Sequence, residues 1–161
     1  MNASHPAPAQ GENVIAAQVA ALCWRMHDAI LEVLLITSRE TGRWVIPKGW
    51  PIAGLTAAEA AAREAWEEAG ARGTMKEHPL GEYIYDKVLG PSKAKRCNVA
   101  VFGMQVDTLD RRFPEANQRQ RSWFPAGEAA GLVAEPDLQS LFRFIAEDPD
   151  RLIGARSAPL A

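Results

Sequence analysis

The sequence predicts an α/β (α+β) domain in which a mixed sheet lies between helices. Three observations predict it. Apolar runs of strand length alternate with turn signals over most of the chain. Two segments, one alanine-rich and one amphipathic, carry helical spacing and interrupt or follow those runs. The chain has 161 residues, 47% of them hydrophobic and 24% charged, and shows no repeat, low-complexity tract or internal linker. That is the size of one domain able to bury a core.

Residues 1–13, with Pro6, Pro8 and Gly11, read as a flexible tail without the basic start and apolar block of a secretory signal. Residues 14–26 read as a buried strand ending in a turn near His27 and Asp28. Residues 32–38 form a second strand whose adjacent apolar residues predict burial on both faces. A turn over 39–42 leads to a short third strand at 44–46, stopped by Pro47. A loop with Gly49, Pro51 and Gly54 then enters a helix. Beyond it, residues 80–89 and 96–106 flank Gly90-Pro91-Ser92 and read as a hairpin. A last strand is expected at 120–124 and a short helix at 125–133. Leu138, Leu141, Phe142 and Ile145 recur at i, i+3, i+4 and i+7, which predicts a helix over 136–147 closed by Asp148-Pro149. The domain is thus expected over 14–147, with 148–161 a C-terminal tail.

Bulk properties exclude several classes. The longest apolar stretch, 14–24, is broken by Gln18 and too short to span a bilayer, so no membrane partner is expected. Cys23 and Cys97 lie in apolar segments and read as reduced core residues, which places the chain in the cytoplasm. A formal net charge of −2 decides nothing about partners. The absence of a basic, aromatic-interleaved stripe argues against a nucleic-acid strand as partner. A homodimer is compatible with the sequence, which reveals no contact patch.

The central helix carries the chemistry. Thr56 and Glu59 fit a capping box, the alanine run propagates the helix, and Gly70 can end it in the left-handed conformation. A helix over 57–69 follows. On it Glu64, Glu67 and Glu68 fall within an arc of roughly 100°. Ala58, Ala61, Ala62, Ala65 and Ala69 form a neighbouring stripe suited to close packing on a sheet. Clustered carboxylates repel by about a few tenths of a kcal/mol per pair, a penalty that Mg²⁺ or Mn²⁺ on hard oxygen ligands reverses. Ala60 is expected to leave room for metal and phosphate. Arg63, four residues before Glu67, is in the weaker order for an exposed ion pair and reads as orienting Glu67. Taken alone, three acids on a helix are usually a solvated face. The longer pattern decides otherwise.

Gly49, five residues, Leu55, seven residues, then Arg63-Glu64-Ala65-Trp66-Glu67-Glu68-Ala69-Gly70-Ala71 closely resembles the Nudix box, G-x5-E-x7-R-E-U-x-E-E-x-G-U. Gly49, Arg63, Glu64, Glu67, Glu68 and Gly70 match in register, and Pro47-Lys48 before Gly49 is also typical. Leu55 departs from the pattern's first Glu, and Ala65 and Ala71 are small where larger aliphatics are usual. The likeness extends over residues 14–147, through Trp123-Phe124-Pro125 and the final helix. Residues 43–49 and Arg119-x-Arg121-x-Trp123-Phe124 look most like the diphosphoinositol polyphosphate and diadenosine polyphosphate hydrolase branch.

The resemblance implies a Nudix-type α-β-α sandwich and a Mg²⁺- or Mn²⁺-dependent pyrophosphohydrolase of small polyphosphates. It implies metal ligands at Glu67 and Glu68, a ligand or base at Glu64, and close approach of Gly49 to metal or phosphate. Glu64 is the first choice for the base and Glu115 the second. Lys48, beside the box, is expected to hold phosphate. Lys93, Lys95 and Arg96 either hold phosphate or form a solvated hairpin edge. Arg43, Arg119 and Arg121 have less support as further cations of the cleft. Trp44 and Trp123 read as core residues, and His5, His27 and His78 show no zinc spacing. Leu55 removes one carboxylate from the loop, which bears on metal number or on a supporting hydrogen bond. The alternatives are a non-catalytic Nudix-like nucleotide-binding module and an RNA 5′-pyrophosphohydrolase.

Overall fold

A computed structural model describes residues 15–153. Within them the strands are β1 (Ala16–His27), β2 (Ile30–Thr37), β3 (Trp44–Val45), β4 (Lys48–Gly49), β5 (Ala71–Met75), β6 (Gly81–Gly90), β7 (Lys93–Leu109) and β8 (Arg121–Pro125). The helices are α1 (Ala57–Ala69), α2 (Ala126–Ala130), α3 (Pro136–Glu147) and α4 (Asp150–Ile153).

The strands make one mixed sheet. Its centre is the parallel pair β1 and β7, in register from Ala16↔Cys97 to Trp24↔Gln105. β2 and β4 pair antiparallel with the other edge of β1. β3 and β8 join β2, and β5 and β6 line the far edge of the long β7.

Alternation along β1 divides the core. Ala20, Leu22 and Trp24 face the layer of α2, α3 and α4 with Phe142 and Ile145. Val19, Ala21 and Cys23 face α1, which meets them with Ala58, Ala61, Ala65 and Ala69. β1 and β2 are therefore buried on both faces, and the sheet is sandwiched between helices as expected.

α1 runs from the expected first residue to the expected last. Thr56 accepts from the Glu59 main-chain N–H, the Glu59 side chain accepts from Thr56 N–H, and Gly70 ends the helix at φ 67°. Its alanine face has no bulk to hold it off the sheet, which brings the glutamates close to β1 and β4. Ala60 belongs to that buried face and leaves no open space, contrary to expectation.

Three further differences have physical reasons. Lys48–Gly49, expected in a loop, is a two-residue strand because Val19 and Ala20 of β1 offer it an open edge. β5 was not foreseen: Ala-Arg-Gly-Thr-Met lacks strand alternation, and it pairs only because β7 extends beyond the hairpin. In the expected tail, Asp150–Ile153 is a helical turn that buries Leu152. Residues 154–161, like the expected tail at 1–13, lie outside the described residues.

Candidate active site

Three segments converge at one end of the sheet. The ribbon 47–49 is fixed to β1 through Val19↔Gly49, Ala20↔Lys48 and an Ala21 N–H to Pro47 carbonyl bond of 3.0 Å. The second half of α1 lies over this ribbon. The loop between β7 and β8 is tied to the end of α1 by the Asp110 N–H to the Gly70 carbonyl, 2.7 Å, and the Glu115 N–H to the Glu67 carbonyl, 3.0 Å. Between them is a cavity of about 330 Å³ whose wall includes Lys48, Gly49, Glu64, Glu68, Glu115 and Arg119.

The carboxylates there are held by specific partners. The Glu68 side chain is only 10% exposed. Its Oε1 accepts from the Lys48 main-chain N–H at 3.2 Å and lies 3.8 Å from Arg119 Nη2. Arg119, itself 9% exposed, donates from Nε to Glu115 Oε1 at 2.8 Å and from Nη1 to the Thr37 carbonyl at 3.1 Å. Glu64 rests against Gly49, where a Cβ would collide with its carboxylate. Burial raises the pKa of both Glu64 and Glu68; they are hydrogen-bonded to each other, and Arg119 offsets part of the rise at each. A hydrogen bond between two carboxyls needs a shared proton. The pair is thus short of positive charge.

That shortage is what a divalent cation relieves. Mg²⁺ takes hard oxygen donors and is commonly held by one or two carboxylates, with water and phosphate filling its other positions. Glu64 and Glu68 fit this requirement, with Glu67 and Glu115 within electrostatic reach of Glu64. Among the described residues no three His, Cys, Asp or Glu side chains stand ready-made around one ion. The fit is therefore to a two-carboxylate site completed by water and substrate.

The other expected residues divide into those at the cavity and those elsewhere. Glu67 is half-buried beside Glu64 but does not line the cavity. Lys48 does, its ammonium 4.8 Å from the centre of the Tyr85 ring and its pKa lowered chiefly by burial. Arg63 is exposed and makes no ion pair with Glu67; it shares a shallow outer groove with Leu55. The orienting role read from its spacing is thus absent from this geometry. Arg96 is bound by Asp86 across the hairpin, at 3.0 and 3.3 Å. Lys95 is exposed and outside the cavity wall, as is Lys93. Arg43 pairs with Glu135 Oε2 at 3.1 Å. Arg121 donates to the Ala69 carbonyl at 2.6 Å, so it caps α1 and leaves the cleft to Arg119.

Sequence reasoning missed Gln18, Arg39, Trp50, Tyr85 and Lys87, all on the cavity wall. Tyr85 and Lys87 are two apart on β6 and so share a face. That parity was legible, but which face meets the site depends on pairing with β7. Gln18, the polar break in the first apolar run, accepts from the Tyr85 hydroxyl at 2.7 Å and was the clearest available signal.

A family model described as the NUDIX domain matches residues 16–147. Nudix hydrolase 13, mitochondrial, of Arabidopsis thaliana is 32% identical over 127 residues, which cover 73% of this chain and 63% of that protein. Nudix hydrolase 12, mitochondrial, of the same plant is 34% identical over 133 residues, covering 76% and 63% respectively. The match thus spans less than two-thirds of the length of either relative. A crystal structure of C. elegans Ap4A hydrolase has a similar fold, with a TM-score of 0.59 and 19% identity over 83% of this chain and 98% of that one.

Proposed function

We propose that this chain, which belongs to the Nudix family, is a Mg²⁺- or Mn²⁺-dependent hydrolase of a phosphoanhydride bond in a small nucleoside or inositol polyphosphate. The observation that carries the reading is the half-buried Glu64 beside the buried Glu68, both on the wall of a cavity with Lys48 and Arg119.

A phosphoanhydride resists water because its anionic oxygens repel the nucleophile. Glu64 and Glu68, with Glu67 beside them, would hold a divalent ion, which when bound would neutralise that charge and activate a water. The protein's own groups do the rest. Lys48 is a half-desolvated ammonium at the cavity wall, and an anionic phosphate oxygen is the partner it lacks. Lys87 on the same wall is available for a further phosphate. Arg119 fixes Glu115 and steadies Glu68, which keeps the acids from collapsing onto one another.

Glu64 is the better base. Glu115 Oε1 already accepts from Arg119 Nε at 2.8 Å and is anchored there. Glu64 makes no ion pair with a basic side chain among the described residues and stands directly over the ribbon.

The segments 43–49 and 119–124 favour dinucleoside polyphosphates or diphosphoinositol polyphosphates as substrates. The cavity is compact and offers no strand-tracking basic groove, which disfavours RNA 5′ ends. Two buried free cysteines support a reducing compartment, of which the cytoplasm is the one the sequence favours. Among the described residues, no helix is long and apolar enough to cross a membrane.

Phosphate release from a panel tests the reaction class. The panel holds diadenosine polyphosphates, inositol pyrophosphates, nucleoside triphosphates, nucleotide sugars and 5′-triphosphorylated RNA, each with Mg²⁺ and with Mn²⁺. Metal-dependent turnover of one member is expected. Silence across the panel from folded protein would move the assignment to a nucleotide-binding module.

A further inference from the structure

Four of the five tryptophans are accounted for by packing or polar partners. Trp24 is 3% exposed in the core. Trp44 meets Phe124 edge-on at 5.1 Å. Trp66 donates from Nε1 to Asp110 at 3.0 Å and lies beneath Arg72. Trp123 is covered by the Arg25 guanidinium at 4.3 Å. Trp50 alone is different. It is 44% exposed, lines the cavity, and makes no hydrogen bond or ring contact among the described residues.

A single exposed aromatic needs no explanation in itself. The place of this one does. Trp50 directly follows Gly49, whose strand is fixed to β1 and whose Cα supports Glu64. Its position is therefore set by the same ribbon that sets the reacting end of the cavity. The other aromatic ring on the wall, Tyr85, already has the Lys48 ammonium over it. Trp50 is thus the aromatic side chain on the wall that has no ring or cation partner among the described residues.

The charge on the wall points the same way. It carries four basic side chains and four carboxylates, so its formal charge balances. Of the four cations, Arg119 is committed to Glu115 and the Thr37 carbonyl, and Arg39 donates to Gln118. Lys48 and Lys87 remain for phosphate. Such a wall suits a short phosphate chain with an uncharged planar end better than a ring bearing phosphates all round.

We propose that Trp50 is a specificity-determining residue, its indole stacking with the base of a nucleoside-type substrate whose phosphates extend toward Lys48. This rests on the hydrolase reading for the direction of the phosphates, and it narrows the substrate to one with an aromatic end.

Binding can be measured apart from turnover, by calorimetric titration of ADP and of inorganic pyrophosphate into wild type, Trp50→Ala and Trp50→Phe. Trp50→Ala should weaken ADP roughly 5- to 150-fold, the span of one base–aromatic stack, and leave pyrophosphate within about twofold. Trp50→Phe should keep most of the ADP affinity. Equal weakening of both ligands in a folded variant would overturn the proposal, as would unchanged ADP binding or wild type binding ADP no tighter than pyrophosphate. Phosphate release by wild type reads the hydrolase assignment separately. Turnover of an inositol pyrophosphate with Trp50→Ala unaffected would retain the hydrolase and discard the stacking residue. ADP binding through Trp50 without turnover of any substrate would do the reverse.

Discussion

The Glu64 carboxylate occupies the space directly beside the Gly49 Cα, where a side chain at residue 49 would stand. Gly49→Ala must therefore push the carboxylate aside. The displaced atoms are the far end of a flexible side chain, so the fold should survive with a loss of about 1 kcal/mol, the low end for added bulk. Turnover should fall about 100-fold, the usual consequence of misplacing a reacting group by an ångström. Melting temperature and kcat of the purified variant check both parts, and full activity would remove Glu64 from the site.

Buried Glu68 and half-buried Glu64 together predict a pH-dependent stability. The Glu68 carboxyl is pushed from an ordinary 4.5 up to about 8, chiefly by burial, and the pKa of Glu64 is raised for the same reason. A raised acid pKa means the folded state binds more protons than the unfolded state between those values, so stability falls as pH rises through the window. Without divalent ions the melting temperature should be higher at pH 5 than at pH 8. Mg²⁺ or Mn²⁺ at pH 8 should restore part of the difference, and Glu68→Gln should flatten the profile. A flat profile in wild type would contradict the buried-pair description.

Arg121 belongs to the scaffold. Its bond to the Ala69 carbonyl satisfies one orphan group at the C-terminus of α1 and places a cation at the negative end of the helix. Arg121→Ala should cost about 1–2 kcal/mol in denaturant unfolding, with the KM of the folded fraction unchanged. A raised KM at unchanged stability would return Arg121 to the phosphate site.

Leu55 stands outside the cavity of Glu64 and Glu68, in an outer groove with Arg63 and Glu59. Replacing the pattern's Glu there removes a partner for Arg63 and leaves the carboxylates of the cavity wall intact. Leu55→Glu should add about 0.2–1 kcal/mol through an exposed ion pair. It should change kcat by less than about twofold. A double-mutant cycle with Arg63→Ala measures the pairing directly, and a large gain in kcat would show that the loop position feeds the site.

What was legible in the sequence is what neighbouring residues determine. Thr56, Glu59 and Gly70 fix both ends of α1, because a capping box and a left-handed cap are local geometry. The Gly90-Pro91-Ser92 turn fixed the hairpin in the same way. The cations were harder. Arg96 and Lys87 are both hairpin cations, yet register sends Arg96 to Asp86 and puts Lys87 on the cavity wall. Arg43 is bound by Glu135, a partner 92 residues away, and no local pattern announces that pairing. β5 likewise exists only through its contact with β7, and a side chain at Gly73 would strike the Gln105 carbonyl there.

Glu64, seated over Gly49 beside Glu68, is the residue on which the proposed metal-dependent hydrolysis of a phosphoanhydride depends most. Its most direct test is kcat of Glu64→Gln against wild type on the best substrate of the panel, at saturating Mg²⁺, with melting temperatures measured alongside. A loss of at least about 100-fold is expected, in a variant that melts no lower than wild type. Unchanged kcat in that folded variant would contradict it.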